Sequence, residues 1–93
     1  MAVVVIGEIP GGTAEQDEAM MKELGLEGNP APGVLMRLAG PIPGGWRIVS
    51  IWESEDAFQN FRRDRLLPLL AKRGGPMPQV QIWPMQSVLT PQR

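Results

Sequence analysis

The chain has 93 residues, 43% of them hydrophobic and 20% charged, a globular balance that argues against disorder. Its 9 Lys and Arg stand against 10 Asp and Glu, so it lacks the basic surplus a nucleic-acid binder uses to release counterions. Histidine, cysteine and tyrosine are all absent. That excludes a Ser-His-Asp triad, thiolate chemistry, disulfides, His-ligated haem and a phenolate base.

The N-terminal run Ala2-Val-Val-Val-Ile-Gly-Glu8 is β-branched and of strand length. It lacks the basic flank and cleavage site of a signal peptide, so a cytoplasmic protein is expected. No apolar run approaches the roughly 18 residues of a membrane span. Ile9-Pro10-Gly11-Gly12 reads as a turn. Thr13 to Gln16 is a capping box: the Thr13 hydroxyl accepts from a first-turn amide while Gln16 reaches back. The helix it opens carries Met20, Met21 and Leu24, has Glu15, Asp17 and Glu18 near its positive end, and stops at Gly25.

A Pro- and Gly-rich loop over 27–33 leads to a second strand over 34–40. Pro41 to Gly45 connects it to a third strand over 46–53, and so short a connector makes the two an antiparallel hairpin. Ser54 caps a second helix, and Ala57, Phe58, Phe61, Leu66 and Leu69 or Leu70 give that helix its apolar side. Pro68 should kink it or divide off its last turn, and Gly74-Gly75-Pro76 ends it after Lys72 and Arg73. The fourth strand is expected over 79–89, with Pro84 implying an edge position or a bulge. Thr90 to Arg93 is a tail.

The order β-α-β-β-α-β predicts one α+β domain over residues 1–93. It is a ferredoxin-like antiparallel four-stranded sheet with two helices on one face. On the third strand Trp46, Ile48, Ser50 and Trp52 share one face, and Arg47, Val49, Ile51 and Glu53 the other. Both sets hold large apolar residues, while the helices cover only one side. A homodimer packed sheet against sheet resolves this.

Several segments carry a resemblance. They are Gly44-Gly45-Trp46-Arg47-Ile-Val-Ser-Ile-Trp52-Glu53-Ser54, then Ala57-Phe58 and Phe61, Arg65-Leu66, and Val80-Gln-Ile-Trp-Pro-Met85. Together they resemble the dimeric α+β barrel superfamily, and within it small proteins related to antibiotic-biosynthesis monooxygenases. That resemblance implies an α+β barrel dimer. It also implies activities that include cofactor-free oxidation of aromatic polyketides, lactone isomerisation, polyketide cyclisation and haem degradation. Such relatives often carry a tyrosine near Asp17 and a histidine–asparagine pair near Gln86-Ser87. Asp17, Gln86 and Ser87 stand there instead.

The candidate site follows from both lines of reading. Trp46, Trp52 and Trp83 can wall a flat ligand or pack a core and an interface. Met20, Met21 and Met36 can line an adaptable pocket or fill a core. Ser50 can orient a ligand oxygen or bond a neighbouring main-chain group. Asp17, near the apolar side of its helix, is a candidate base, or a solvated charge. Arg37 and Arg47 fall on one face if the hairpin pairs them directly; there they clamp an anion or pair with Glu8 and Glu53. In Arg62-Arg63-Asp64-Arg65, a solvated run, Arg65 can turn inward. Gly11-Gly12 lacks the lysine and spacing of a phosphate loop.

With the resemblance, these point to an enzyme without cofactor or metal. Its ligand would be a small aromatic or polyketide-like molecule, held between sheet and helices and oxygenated, cyclised or rearranged through an enolate. Asp17 would be the base. Ser50, Gln86 and the indole N–H groups would be donors, and Met21, Met36, Trp46, Trp52, Phe61 and Arg65 would bind substrate. The alternative is a non-catalytic ligand-binding or assembly module. No nucleic-acid or membrane partner is expected.

Overall fold

The structure, a computed structural model, describes residues 1–26, 28–74 and 78–87. Its elements are β1 (Val3–Pro10), α1 (Ala14–Leu24), β2 (Val34–Ile42), β3 (Gly45–Trp52), α2 (Glu55–Phe61), α3 (Leu67–Arg73) and β4 (Gln79–Pro84). The strands form one sheet in the order β2-β3-β1-β4, antiparallel throughout. This is the ferredoxin-like βαββαβ arrangement, with the helices over one face of the sheet.

Local chemistry sets the boundaries. Thr13 caps α1 through its hydroxyl and the Gln16 side chain, closing both bonds of the capping box. Gly25 ends α1 in the left-handed conformation, at φ 70°. Ser54 caps α2, its hydroxyl accepting from the Ala57 N–H at 3.1 Å. Pro68 lies in the first turn of α3 and has no N–H to give the carbonyl of Asp64. A π-type turn over Arg62–Leu66 separates α3 from α2, so Pro68 does divide the helix.

β2 runs two residues further than the sequence predicts and β3 starts one residue earlier, because their connection is only Pro43-Gly44. Gly44 sits at φ 77°, the value a type II turn needs after its proline. The tight turn fixes the register, pairing Arg37 with Ser50 and Gly40 with Arg47. Arg37 and Arg47 therefore lie on opposite faces, contrary to the expectation that they share one. A direct pairing would need a register shifted by an odd number of residues, and such a shift turns a side chain to the other face. A bulge between Val34 and Met36 follows, leaving both Leu35 and Met36 exposed.

β4 is an edge strand, where Pro84 is tolerated, and it ends at that residue rather than running on. Val88 and Leu89, expected in the strand, lie outside the described residues, as do Gly75 and Pro76. The core sits between sheet and helices, where Val3, Val5, Ala31, Trp52 and Phe58 form the buried cluster. Trp52 meets Phe58 edge to face at 5.5 Å and Phe61 at 5.3 Å between ring centroids. No helix among the described residues is long and apolar enough to cross a membrane.

Candidate functional site

Beside that core the sheet and helices frame a partly open cavity of about 380 Å³. Gly7, Ile48 and Val80, register partners on β1, β3 and β4, form part of its floor. Gly7 makes room there, since a Cβ at that position would meet nothing within 4 Å. Met20, Met21 and Leu24 of α1 cover one side, and Phe58, Phe61 and Leu66 another. The volume falls in the range of small-molecule sites, and the lining is apolar apart from a few placed polar groups, as such sites are.

Those polar groups are Ser50 and Arg37, with the indole N–H of Trp52 behind them. Ser50 is the buried polar residue of the fold, 8% exposed, among the described residues. Trp52 Nε1 donates to Ser50 Oγ at 2.9 Å. An indole N–H can only donate, so the direction of this bond is fixed. The Ser50 hydroxyl proton is left to be given elsewhere. Arg37 lies directly across from Ser50. Its Nη2 donates to Asp17 Oδ1 at 2.5 Å and its Nη1 to Asp17 Oδ2 at 3.3 Å, joining β2 to α1. The side chains are only 25% and 13% exposed. This bidentate pair holds both carboxylate oxygens of Asp17.

No family model matches the sequence, and no curated protein matches it. Solved structures match over nearly the whole chain. Rv0793 from Mycobacterium tuberculosis superimposes with a TM-score of 0.73, 12% identity, and coverage of 97% of this chain and 100% of that one. SnoaB, a cofactor-independent oxygenase from Streptomyces nogalater, gives a TM-score of 0.66 at 13% identity over 95% of each chain. A Deinococcus radiodurans protein assigned to antibiotic biosynthesis monooxygenases gives 0.64 at 12% identity over 99% of each. The chain has the fold of the antibiotic-biosynthesis-monooxygenase-like proteins. At such identities the likeness is one of architecture, and the chemistry has to be read from this chain's own residues.

Within that fold the predicted residues divide. Ser50, Trp52, Met21 and Phe61 line the cavity, and Met36, 52% exposed, lines it beside the β2 bulge. Asp17 reaches the cavity only through Arg37. Trp46 shares the sheet face of Ser50 and Trp52 but is not among the cavity-lining residues. It packs against the turn at Gly12, where a Cβ would lie 2.8 Å from the Trp46 Cβ. Its buried indole N–H has no partner among the described residues. Arg65 donates to the Leu24 carbonyl at the end of α1 and lies over the Phe61 ring, 5.9 Å from its centroid. It braces the helices rather than lining the space. Gln86 is exposed beyond the end of β4, and Trp83 is 54% exposed on the other sheet face.

The sequence reading does not place two contributors at the cavity. Arg37, read there as an anion clamp or ion-pair partner, faces the cavity because of the hairpin register, which the two-residue turn fixes. Gly7 could have been noticed as an isolated glycine within a strand, a usual mark of close approach by a ligand or backbone. Among the described residues no group of three or more His, Cys, Asp or Glu could hold a metal ion.

Proposed function

We propose that the protein is a cofactor-independent enzyme that binds an aromatic or polyketide-like molecule in this cavity and acts on it through an enolate. The observation that carries the reading is the apolar cavity of about 380 Å³ with a hydroxyl and a guanidinium at one side. The oxygenase among the structural neighbours supports the reaction class. In this reading Asp17 takes the C–H proton beside a substrate carbonyl, and the Ser50 hydroxyl and the Arg37 guanidinium can stabilise the oxygen of the enolate that forms. In the oxygenation arm the enolate itself reduces dioxygen. A CH₂ group becomes C=O, and one O₂ yields the carbonyl oxygen and one water. The apolar walls limit the access of bulk water to the anion.

The protein would act as a homodimer. On the face away from the helices Leu38 is 58% and Trp83 54% exposed, beside Val4, Ile6, Val49 and Ile51. A patch of this kind is normally covered.

A specific observation favours a second reading. Both oxygens of Asp17, the proposed base, are held by Arg37, so the cavity could serve a passive binder. The test uses a tricyclic anthrone as probe, with dioxygen uptake followed in the presence of chelator. The proposal expects uptake above the spontaneous rate, lost in Gly7→Leu, whose side chain would fill the cavity floor. Asp17→Asn should lose turnover and keep binding. Binding without any uptake would establish the passive reading, and neither binding nor uptake would remove the cavity as a site.

A further inference from the structure

Helix α1 roofs one side of the cavity, yet little of it is buried. Its buried residue is Leu24, in the last turn, while Met20 and Met21 rest over the cavity rather than in the packed core. A helix of 11 residues is marginal by itself and depends on what its apolar face packs against. Polar ties hold α1 instead, and they fall at two places. At its C-terminal end the Leu24 carbonyl accepts from Arg65 of the π-type turn, and the Glu23 carboxylate accepts from Arg73 of α3 at 2.9 Å. Nearer its start, Asp17 accepts both bonds from Arg37 of β2. Among the described residues no other hydrogen bond joins the stretch 14–21 to another strand or helix. The chain is pinned again just before the helix, where the Gly12 N–H donates to the Ile9 carbonyl at 3.0 Å.

We propose that the first half of α1 is a lid over the cavity, latched by the Asp17–Arg37 pair and anchored at its far end by Arg65 and Arg73. The inference rests on the reading of the cavity as a ligand site and adds how a ligand enters it. With the latch broken, the stretch between Gly12 and Leu24 can lift or unwind without disturbing the sheet. That widens the opening beside Leu35 and Met36, which line the cavity and are also exposed. A segment with few buried apolar groups opens at far lower cost than the whole fold. The bidentate, partly shielded pair keeps the lid shut between openings. A ligand beneath Met20 and Met21 supplies an apolar surface on which α1 packs, so binding favours closure.

Hydrogen exchange read by mass spectrometry on the whole protein tests the lid. Stopped-flow mixing with 2-methylnaphthalene, followed by tryptophan emission, tests entry. In the unaltered protein the amides of α1 should exchange faster than those of α2, and the probe should slow them. The double variant Arg37→Gln, Asp17→Asn keeps the pair's net charge but leaves it neutral hydrogen bonds at best. Exchange in α1 should rise roughly tenfold in that variant, with α2 unchanged. The probe has no polar atom to meet the pair, so its association and dissociation rates should rise together while its affinity holds. Glu23→Gln loosens only the anchored end, where Arg65 still holds, and should change neither reading. Thermal unfolding verifies that each variant is folded, and Asp17→Asn alone gives the same comparison if the double variant is not. Exchange in α1 as slow as in α2, unchanged in the latch variants, or raised equally in both helices overturns the lid and leaves a ligand cavity in place. No association of the probe with the unaltered protein overturns the cavity reading and the lid with it.

Discussion

The sheet has two faces, and on each an arginine meets a carboxylate through a contact of 2.5 Å, yet the two pairs do different work. On the covered face Arg37 and Asp17 are 25% and 13% exposed. On the open face Arg47 and Glu8, register partners on β3 and β1, are 50% and 38% exposed. The first pair is partly cut off from water beside a cavity, so removing one partner strands a charge. The second is bathed in solvent, where screening and side-chain entropy cancel most of the attraction. Contact distance alone does not rank an ion pair; its surroundings do. The apolar residues follow the same contrast: Trp52 is 3% exposed, while Leu38 and Trp83 across the sheet are more than half exposed.

The sharpest break in this comparison is Trp52→Ala. It removes a side chain packed on Phe58 and Phe61 and leaves the Ser50 hydroxyl without its donor. A loss of about 3–5 kcal/mol is expected in urea unfolding. A loss under 1 kcal/mol would mean the covered face is not the core. On the open face the double change Leu38→Glu, Trp83→Glu should hardly alter the monomer's own packing. It should instead shift the protein from dimer to monomer in light scattering, by about 2 kcal/mol or more of association energy. Unaltered dimers would place the interface elsewhere, and a wild-type monomer of about 10 kDa at micromolar concentration would remove it.

The ion pairs come next. Arg37→Ala leaves a carboxylate of low exposure unpaired and should cost about 1–3 kcal/mol. Arg47→Ala should cost under about 1 kcal/mol, and less in high salt. Equal losses would dissolve the contrast between the faces.

How much of this could be read from the residues alone depended on the range of the interaction. Thr13 with Gln16, Ser54, Gly25 and Pro68 act within one helical turn, and each set its element's boundary as expected. The β-α-β-β-α-β order followed from alternating patterns and was also legible. Within the site, Ser50, Trp52, Met21 and Phe61 fell on the cavity because strand alternation and helical spacing fix their faces. Arg37 was not legible, because its face depends on the register of two strands. A tight turn at Pro43-Gly44 and a bulge near Val34 set that register together. Trp46 shows the complementary limit: alternation gave its face, but only the packing at Gly12 places it away from the cavity.

A third ion pair sharpens the comparison by removing burial altogether. Arg63 and Asp64 are sequence neighbours, bonded at 2.8 and 3.1 Å on a solvent-facing turn, with side chains 67% and 59% exposed. The hydrogen bond from Arg63 is the main cause that holds the Asp64 carboxyl below its ordinary range; the guanidinium charge adds to it, and desolvation opposes it. A folded-state pKa lowered in this way stabilises the fold above the unfolded carboxyl's pKa, and the benefit is lost as pH falls through the folded value. Water and salt screen so exposed a pair, so the benefit should be the smallest of the three. Asp64→Asn should therefore match the unaltered protein in thermal midpoint at acid pH and fall barely below it at neutral pH, with the gap closing in high salt. A neutral-pH gap as large as that of Arg37→Ala would mean that exposure does not decide what an ion pair contributes here.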